Sequence, residues 1–304
     1  MMYFYLPVDT IGHYHRFSDM IRTARSPRLP ADLRMVSGPM VGIVVVGESA
    51  TRSNWSLYGY DRMTTPCMDT LNEELVVAPG MTANVASTGQ SLRLMLTMAT
   101  TESPRDTYCT VAQCYKAMGC RTALVSNQSR WGRWGGVEGL VFAGCETNVY
   151  IRSVIKERPL YDSAMMPYVE SLVKDSVQDR SPLVIFLHLH GSHAPFIGNY
   201  PPEWNCWGEK TMLDAYDNTV LFTDHLLGRL VELLKSQDAP TFLFYTSDHG
   251  ESPRSKGWRD GNSPDLHAVP CILWRSKANP ADAALKDVRF LDKLFPFLVE
   301  LPYR

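Results

Sequence analysis

The sequence predicts an α/β fold, a three-layer α/β/α sandwich around a mostly parallel central sheet. Three observations carry this expectation. Short apolar runs recur at residues 41–47, 121–126, 183–189, 241–245 and 269–274. Between them lie segments whose apolar residues fall at three-to-four spacing, over 160–177, 211–236 and 287–300. The chain has 304 residues and 45% hydrophobic content, enough for one large domain with a core of its own. A strand buried on both faces reads as a continuous apolar run rather than as an alternation. Strands alternating with helices imply a parallel sheet covered on both sides. Sites of such sheets lie at the C-terminal ends of the strands.

Residues 1–40 contain His13, His15, a basic cluster at Arg22, Arg25, Arg28 and Arg34, and Pro27, Pro30 and Pro39. They read as a lead-in helix and linker, and residues 41–304 as the catalytic domain. The net charge of -2 and the scattered lysines and arginines exclude a nucleic-acid footprint. No stretch has the unbroken apolar length of a membrane-spanning helix. Met1–Pro7 lacks the basic and apolar regions of a secretion signal. The chain as given therefore reads as soluble, either cytoplasmic or with its targeting part outside these residues. Seven cysteines are present and none is spaced as a zinc knuckle. Cys109, Cys114 and Cys120 are near enough in sequence for a local disulfide, or are small buried residues.

The first strand runs into Gly47-Glu48-Ser49, which sets a carboxylate at a strand end. In Asn84–Leu92, small hydroxyl residues precede a helical run, so Ser87 or Thr88 falls at a helix N-terminus. That position suits an N-cap. It equally suits a hydroxyl that meets an anionic phosphate at the positive end of the helix. The run 183–189 leads into His188, His190 and His193, with His188 and His190 expected on one strand face and His193 in the loop. The run 241–245 leads into Ser247-Asp248-His249-Gly250-Glu251-Ser252, and His267 precedes the last strand. Zinc takes about four N and O ligands. Glu48, Thr88, Asp248 and His249 make a complete set, leaving His193 and His267 for a phosphate or a second metal.

Seven strings in order make the pattern recognisable: Val46–Tyr60, Arg62–Pro66, Ser87–Ser91, Ser126–Gln128, His188–Pro195, Ser247–Ser252 and Leu266–Pro270. Together they resemble bacterial phosphoethanolamine transferases of the alkaline phosphatase/sulfatase superfamily, over roughly residues 40–300. The resemblance implies one tightly bound zinc held by Glu48, Thr88, Asp248 and His249, and a second zinc as a further expectation. It implies that Thr88 is the nucleophile, that His193 and His267 bind phosphoethanolamine or the second zinc, and that Asn127 lies in a substrate-binding segment. It further implies a phosphatidylethanolamine donor, a lipopolysaccharide acceptor (lipid A or core sugar), and a place at the periplasmic face of the inner membrane. Relatives carry membrane helices before this domain and this chain has none, so the membrane is expected to be met through a segment absent here. A phosphodiesterase or phosphatase of the same fold is the main rival. A sulfatase is a weaker one, because Cys67-Met68-Asp69 lacks the Pro- and Arg-containing motif that formylglycine needs. A catalytically inert binding module would lack the ligand set.

Overall fold

The computed structural model describes residues 28–103, 109–129, 135–155, 159–254 and 263–303. Of residues 1–40, expected as a lead-in helix and linker, residues 1–27 lie outside them, with His13, His15, Arg22 and Arg25, and residues 28–40 contain no helix. Seven strands form one sheet in the order β2-β7-β6-β1-β5-β3-β4. They are β1 (Val41–Gly47), β2 (Leu75–Val77), β3 (Arg121–Ser126), β4 (Thr147–Tyr150), β5 (Leu183–His188), β6 (Thr241–Ser247) and β7 (Cys271–Arg275). β1 pairs in parallel with β5 and β6, and β3 in parallel with β4 and β5. β7 runs antiparallel to β6 and to β2. The sheet is thus mostly parallel, with an antiparallel strand toward one edge.

The helices are α1 (Pro66–Thr70), α2 (Thr88–Leu96), α3 (Val111–Ala117), α4 (Gly135–Val141), α5 (Ile151–Val154), α6 (Met166–Asp179), α7 (Met212–Lys235) and α8 (Leu294–Glu300). They cover both faces. Val44, Val46, Phe186 and Phe244 pack with Leu92 and Met95 of α2, Tyr115 of α3 and Leu298 of α8. Ile43, Val45, Ile185 and Leu243 pack with Val169 and Val173 of α6 and Leu227 and Leu230 of α7. Alternate residues of each strand therefore feed two separate cores, which is the physical content of the three layers. Among the described residues no helix is long and apolar enough to cross a membrane.

Two expected helices begin later than their apolar spacing suggests. The segment from Leu160 opens as a 3₁₀ turn, Asp162–Met165, and becomes α-helical at Met166. The segment from Asp287 becomes α-helical at Leu294. Pro167 and Pro296 lie in the first turns of α6 and α8. Proline is tolerated there and breaks a helix interior, so each fixes where its helix can start. The seven cysteines are free thiols. Cys109, Cys114 and Cys120 are buried among apolar residues, and the Cys109 and Cys114 sulfurs stand 3.7 Å apart in a thiol hydrogen bond and form no disulfide.

One buried carboxylate ties two helices on the α6–α7 side. Asp224 of α7 accepts the backbone N–H groups of Cys67 (2.8 Å) and Met68 (3.0 Å), capping the N-terminus of α1. Burial raises its pKa from 3.8 to about 6, against the pull of those two N–H groups. The folded state therefore binds the proton more tightly than the unfolded one. The stability this contributes is fully present below about pH 3.8 and is lost as pH rises through about 6. An Asp224→Asn variant lacks this dependence. Its stability relative to the parent is expected to rise between pH 4 and 7 by up to about 3 kcal/mol. Urea titrations across that range check it, and parallel pH profiles would refute it.

Candidate metal centre

The register of two neighbouring strands builds the site. Gly47 of β1 stands beside Ser247 of β6, so the next residues, Glu48 and Asp248, emerge together at the C-terminal edge. The turn after β1 is held tightly. Ser49 adopts a left-handed backbone, φ 58°, which costs a non-glycine residue energy that its surroundings must supply. Its N–H donates to Asp248 Oδ1 (3.1 Å), its hydroxyl to Glu48 Oε1 (2.6 Å), and its carbonyl accepts the Tyr216 hydroxyl (2.9 Å). The Tyr216 oxygen in turn accepts the N–H of Thr51 (2.7 Å). The strained turn thus orients both carboxylates at once.

Thr88 is the first residue of α2, with Ser87 at the N-cap making no side-chain capping bond. The Thr88 hydroxyl donates to Glu48 Oε2 (3.1 Å) and lies 3.5 Å from His249 Nε2. His249 Nε2 is 3.4 Å from Glu48 Oε1 and 3.5 Å from Asp248 Oδ2. Nδ1 of His249 is bonded to the Gly250 carbonyl (2.8 Å). A carbonyl only accepts, so Nδ1 carries a proton, and Nε2 is the ring atom that faces the carboxylates and can ligate a metal. Ligand-type atoms of four residues therefore converge. A tetrahedral ion with bonds of about 2.0–2.1 Å spaces its ligands by about 3.3–3.4 Å. Thr88 Oγ1 to Glu48 Oε2 and to His249 Nε2 (3.1 and 3.5 Å), and His249 Nε2 to Glu48 Oε1 and to Asp248 Oδ2 (3.4 and 3.5 Å), lie near that spacing, with Glu48 turning a different oxygen to each neighbour.

The electrostatics fit a cation. Glu48, Asp248 and His249 are at most 1% exposed. Among the described residues Asp248 Oδ2 has no hydrogen-bond partner, an orphaned buried oxygen that an ion would satisfy. Burial and the adjacent Glu48 charge raise Asp248 to about 6. Burial also pushes Glu48 up, but His249 and the Ser49 hydroxyl outweigh it and hold Glu48 below the usual carboxylate value. Two buried carboxylates side by side without a cation repel one another.

Two further histidines have the same preparation as His249. Nδ1 of His193 bonds the Ala194 carbonyl (2.6 Å) and Nδ1 of His267 the Ala83 carbonyl (2.8 Å), leaving each Nε2 as acceptor or ligand. Gly250 permits the close approach of the His267 segment. Its N–H donates to the Leu266 carbonyl (2.8 Å), and a Cβ there would stand 1.8 Å from the Asp265 oxygen.

The other histidines are placed differently from the expectation of one shared strand face. β5 ends at His188, and His190 lies beyond it in a turn. His188 is a buried core residue, 2.7 Å from Glu138 of α4. Burial lowers its pKa, but the Glu138 carboxylate outweighs that and the net shift is upward. Asn127, at the end of β3, is fully buried and donates its amide N–H to Asp162 (2.8 Å). It shares Asp162 Oδ1 with the N–H of His190 and makes no hydrogen bond to Glu48, Thr88, Asp248 or His249 among the described residues. Cys67, the residue weighed for formylglycine chemistry, packs against Gly228 of α7 on the sheet face opposite α2. Ser49, Tyr216 and Asp162 were not legible as site residues, because their roles come from contacts distant in sequence.

The sequence model of the sulfatase family matches residues 41–301. Phosphoethanolamine transferase EptC of Escherichia coli O18:K1:H7 (strain RS218 / NMEC) is 27% identical over 266 residues, 79% of this chain and 45% of that protein. This chain therefore spans about half the length of the curated relatives it matches. The C-terminal periplasmic domain of EcEptC from Escherichia coli, in complex with Zn, shares the fold with a TM-score of 0.74 and 24% identity, over 85% of this chain and 81% of that one. The integral membrane protein lipooligosaccharide phosphoethanolamine transferase A (EptA) from Neisseria meningitidis shares it with a TM-score of 0.74 and 20% identity, over 97% and 62%.

Proposed function

The chain belongs to the sulfatase family, and on that premise we propose that residues 41–304 are the catalytic domain of a zinc-dependent phosphoethanolamine transferase. The donor is phosphatidylethanolamine and the acceptor is lipopolysaccharide, on lipid A or a core sugar. One observation carries the reading: Thr88 Oγ1, at the N-terminus of a helix, lies 3.1 Å from Glu48 Oε2 and 3.5 Å from His249 Nε2, beside the buried cluster of Glu48, Asp248 and His249.

Glu48, Asp248, His249 and Thr88 would hold the zinc, which lowers the hydroxyl pKa and screens phosphoryl charge. Glu48 Oε2 already accepts the Thr88 hydroxyl, so it can draw the proton as the oxygen attacks. The Thr88 oxygen forms a bond to phosphorus while the bond from phosphorus to the diacylglycerol oxygen breaks. That oxygen takes up a proton and diacylglycerol leaves. An acceptor oxygen then attacks the phosphorus and loses its own proton, the bond from phosphorus to the Thr88 oxygen breaks, and that oxygen takes up a proton, which restores Thr88. Once Nε2 of His193 or His267 takes up one of these protons, it donates to the phosphoryl oxygens and can pass the proton on. N–H groups of the first turn of α2 add donors to the same oxygens.

The names of the relatives support the setting. One aligned domain is described as periplasmic and another relative as an integral membrane protein. The reading accordingly places this domain at the periplasmic face of the inner membrane, with residues 1–40 as its linker to a membrane segment outside these residues.

Peptide mass spectrometry of zinc-loaded protein incubated with a phosphatidylethanolamine analogue tests it. A phosphoethanolamine adduct on Thr88 is expected. Diacylglycerol release with Thr88 unmodified would replace the transferase by a hydrolase. In the same assay Gly250→Ala should cost at least about tenfold in turnover, because its Cβ displaces the segment carrying His267. Unchanged kinetics would remove His267 from the mechanism.

A further inference from the structure

We propose that Asp162 is a positioning residue, whose carboxylate fixes the His190–Gly191 turn and so sets where His193 stands against the Glu48, Asp248 and His249 cluster. This rests on the reading in which His193 serves the phosphoryl group. Asp162 is 5% exposed and accepts three bonds. Oδ1 takes the N–H of His190 (2.9 Å) and the Asn127 amide (2.8 Å), and Oδ2 takes the N–H of Gly191 (2.9 Å). Two consecutive backbone donors on one carboxylate fix a turn in both position and orientation.

The turn is pressed between Asp162 and the metal cluster. Gly191 has φ 50°, and a Cβ there would lie 2.9 Å from the Glu48 carbonyl oxygen. That same oxygen accepts the N–H of Ser192 (3.0 Å). Two residues on, the N–H of His193 donates to the His190 carbonyl (3.1 Å), and the two imidazoles stack with centroids 5.3 Å apart. Burial, together with the Arg152 charge, lowers His190 to about 4, so this stacking partner is neutral. Asp162 itself opens a 3₁₀ turn whose Met165 and the following Met166 are set in the α6–α7 core. A rigid line thus runs from that core through Asp162 and the turn to His193. Nothing else in the protein's reading uses this buried carboxylate.

Asparagine has one acceptor oxygen where aspartate has two, so Asp162→Asn must leave one backbone N–H without its partner. The test uses the zinc-loaded 304-residue chain, labelled with ¹⁵N, as parent, Asp162→Asn and Asp162→Ala. Long-range ¹H–¹⁵N spectra report each imidazole, with assignments from His193→Ala and His225→Ala. In the parent, His193 should show a ring with its proton on Nδ1, held there by the Ala194 carbonyl. In both Asp162 variants that pattern should shift or average, while the signals of His225 and His267 stay in place. With the phosphatidylethanolamine analogue, Asp162→Asn should lower kcat/KM by about tenfold to a hundredfold. It should cost nothing further once His193 is alanine. An unmoved His193 signal overturns the proposal, as does an equal loss with and without His193. Collapse of all histidine signals together would make Asp162 a residue of the fold and would also overturn it. If the parent forms no Thr88 adduct, the transferase reading fails, and the ring spectra decide on Asp162 by themselves.

Discussion

Thr88→Ala is expected to lose the phosphoethanolamine adduct entirely and to reduce transfer by at least about 10³-fold. The fold should not notice. Thr88 is partly exposed at the first position of α2, Ser87 remains at the N-cap, and alanine has the better helix propensity. On the proposed reading Glu48, Asp248 and His249 remain to hold zinc, and a solvent molecule can complete the set, so zinc content should stay near that of the parent. Measuring metal content, melting temperature and turnover on one preparation separates the nucleophile from its surroundings. Turnover close to the parent's would eliminate Thr88 as nucleophile. Loss of zinc along with turnover would instead mean that the hydroxyl is chiefly a ligand.

Glu48→Gln is expected to act in the opposite order, on the metal first. Glutamine keeps the shape and one acceptor for the Ser49 and Thr88 hydroxyls but removes the charge. In the parent, free zinc at about a hundred times its dissociation constant stabilises the native state by about 2.7 kcal/mol. That is about 5 °C in a domain of this size. The variant should show no such response and should contain little zinc. Its metal-free form should melt at or above the metal-free parent, because one of two adjacent buried carboxylates is gone and Asp248 no longer faces a like charge. Thermal melts with and without a chelator check both statements. Stoichiometric zinc in the variant would show that Glu48 is not a ligand.

Much of this architecture is written locally. β1, β3, β5 and β6 are buried over nearly their whole length and each holds an apolar stretch of three or more residues, so their strand ends, and Glu48, Asp248 and His249 with them, could be located directly. β2 has three residues and β4 opens with two exposed polar ones, so neither has a length or a period to betray it. The direction of β7 is invisible for another reason: the run 271–275 is equally apolar whichever way it pairs. The site divides the same way. Ligand types at strand ends are local signals. The bonds that aim them are not, since Asp162 reaches His190 and Gly191 and Tyr216 reaches Ser49 from other parts of the chain.

The pairing of β1 with β6 has a kinetic corollary. Ser49 and Asp248 are bonded to one another across 199 residues of chain. The ligand set therefore exists once the two halves of the sheet have met, a loop closure that is among the slowest steps in assembling such a topology. A cation that needs all of these side chains cannot help an extended chain to find its way. It can only be captured afterwards. Zinc should leave the refolding rate unchanged and slow the unfolding rate, making the centre a latch on the finished sheet.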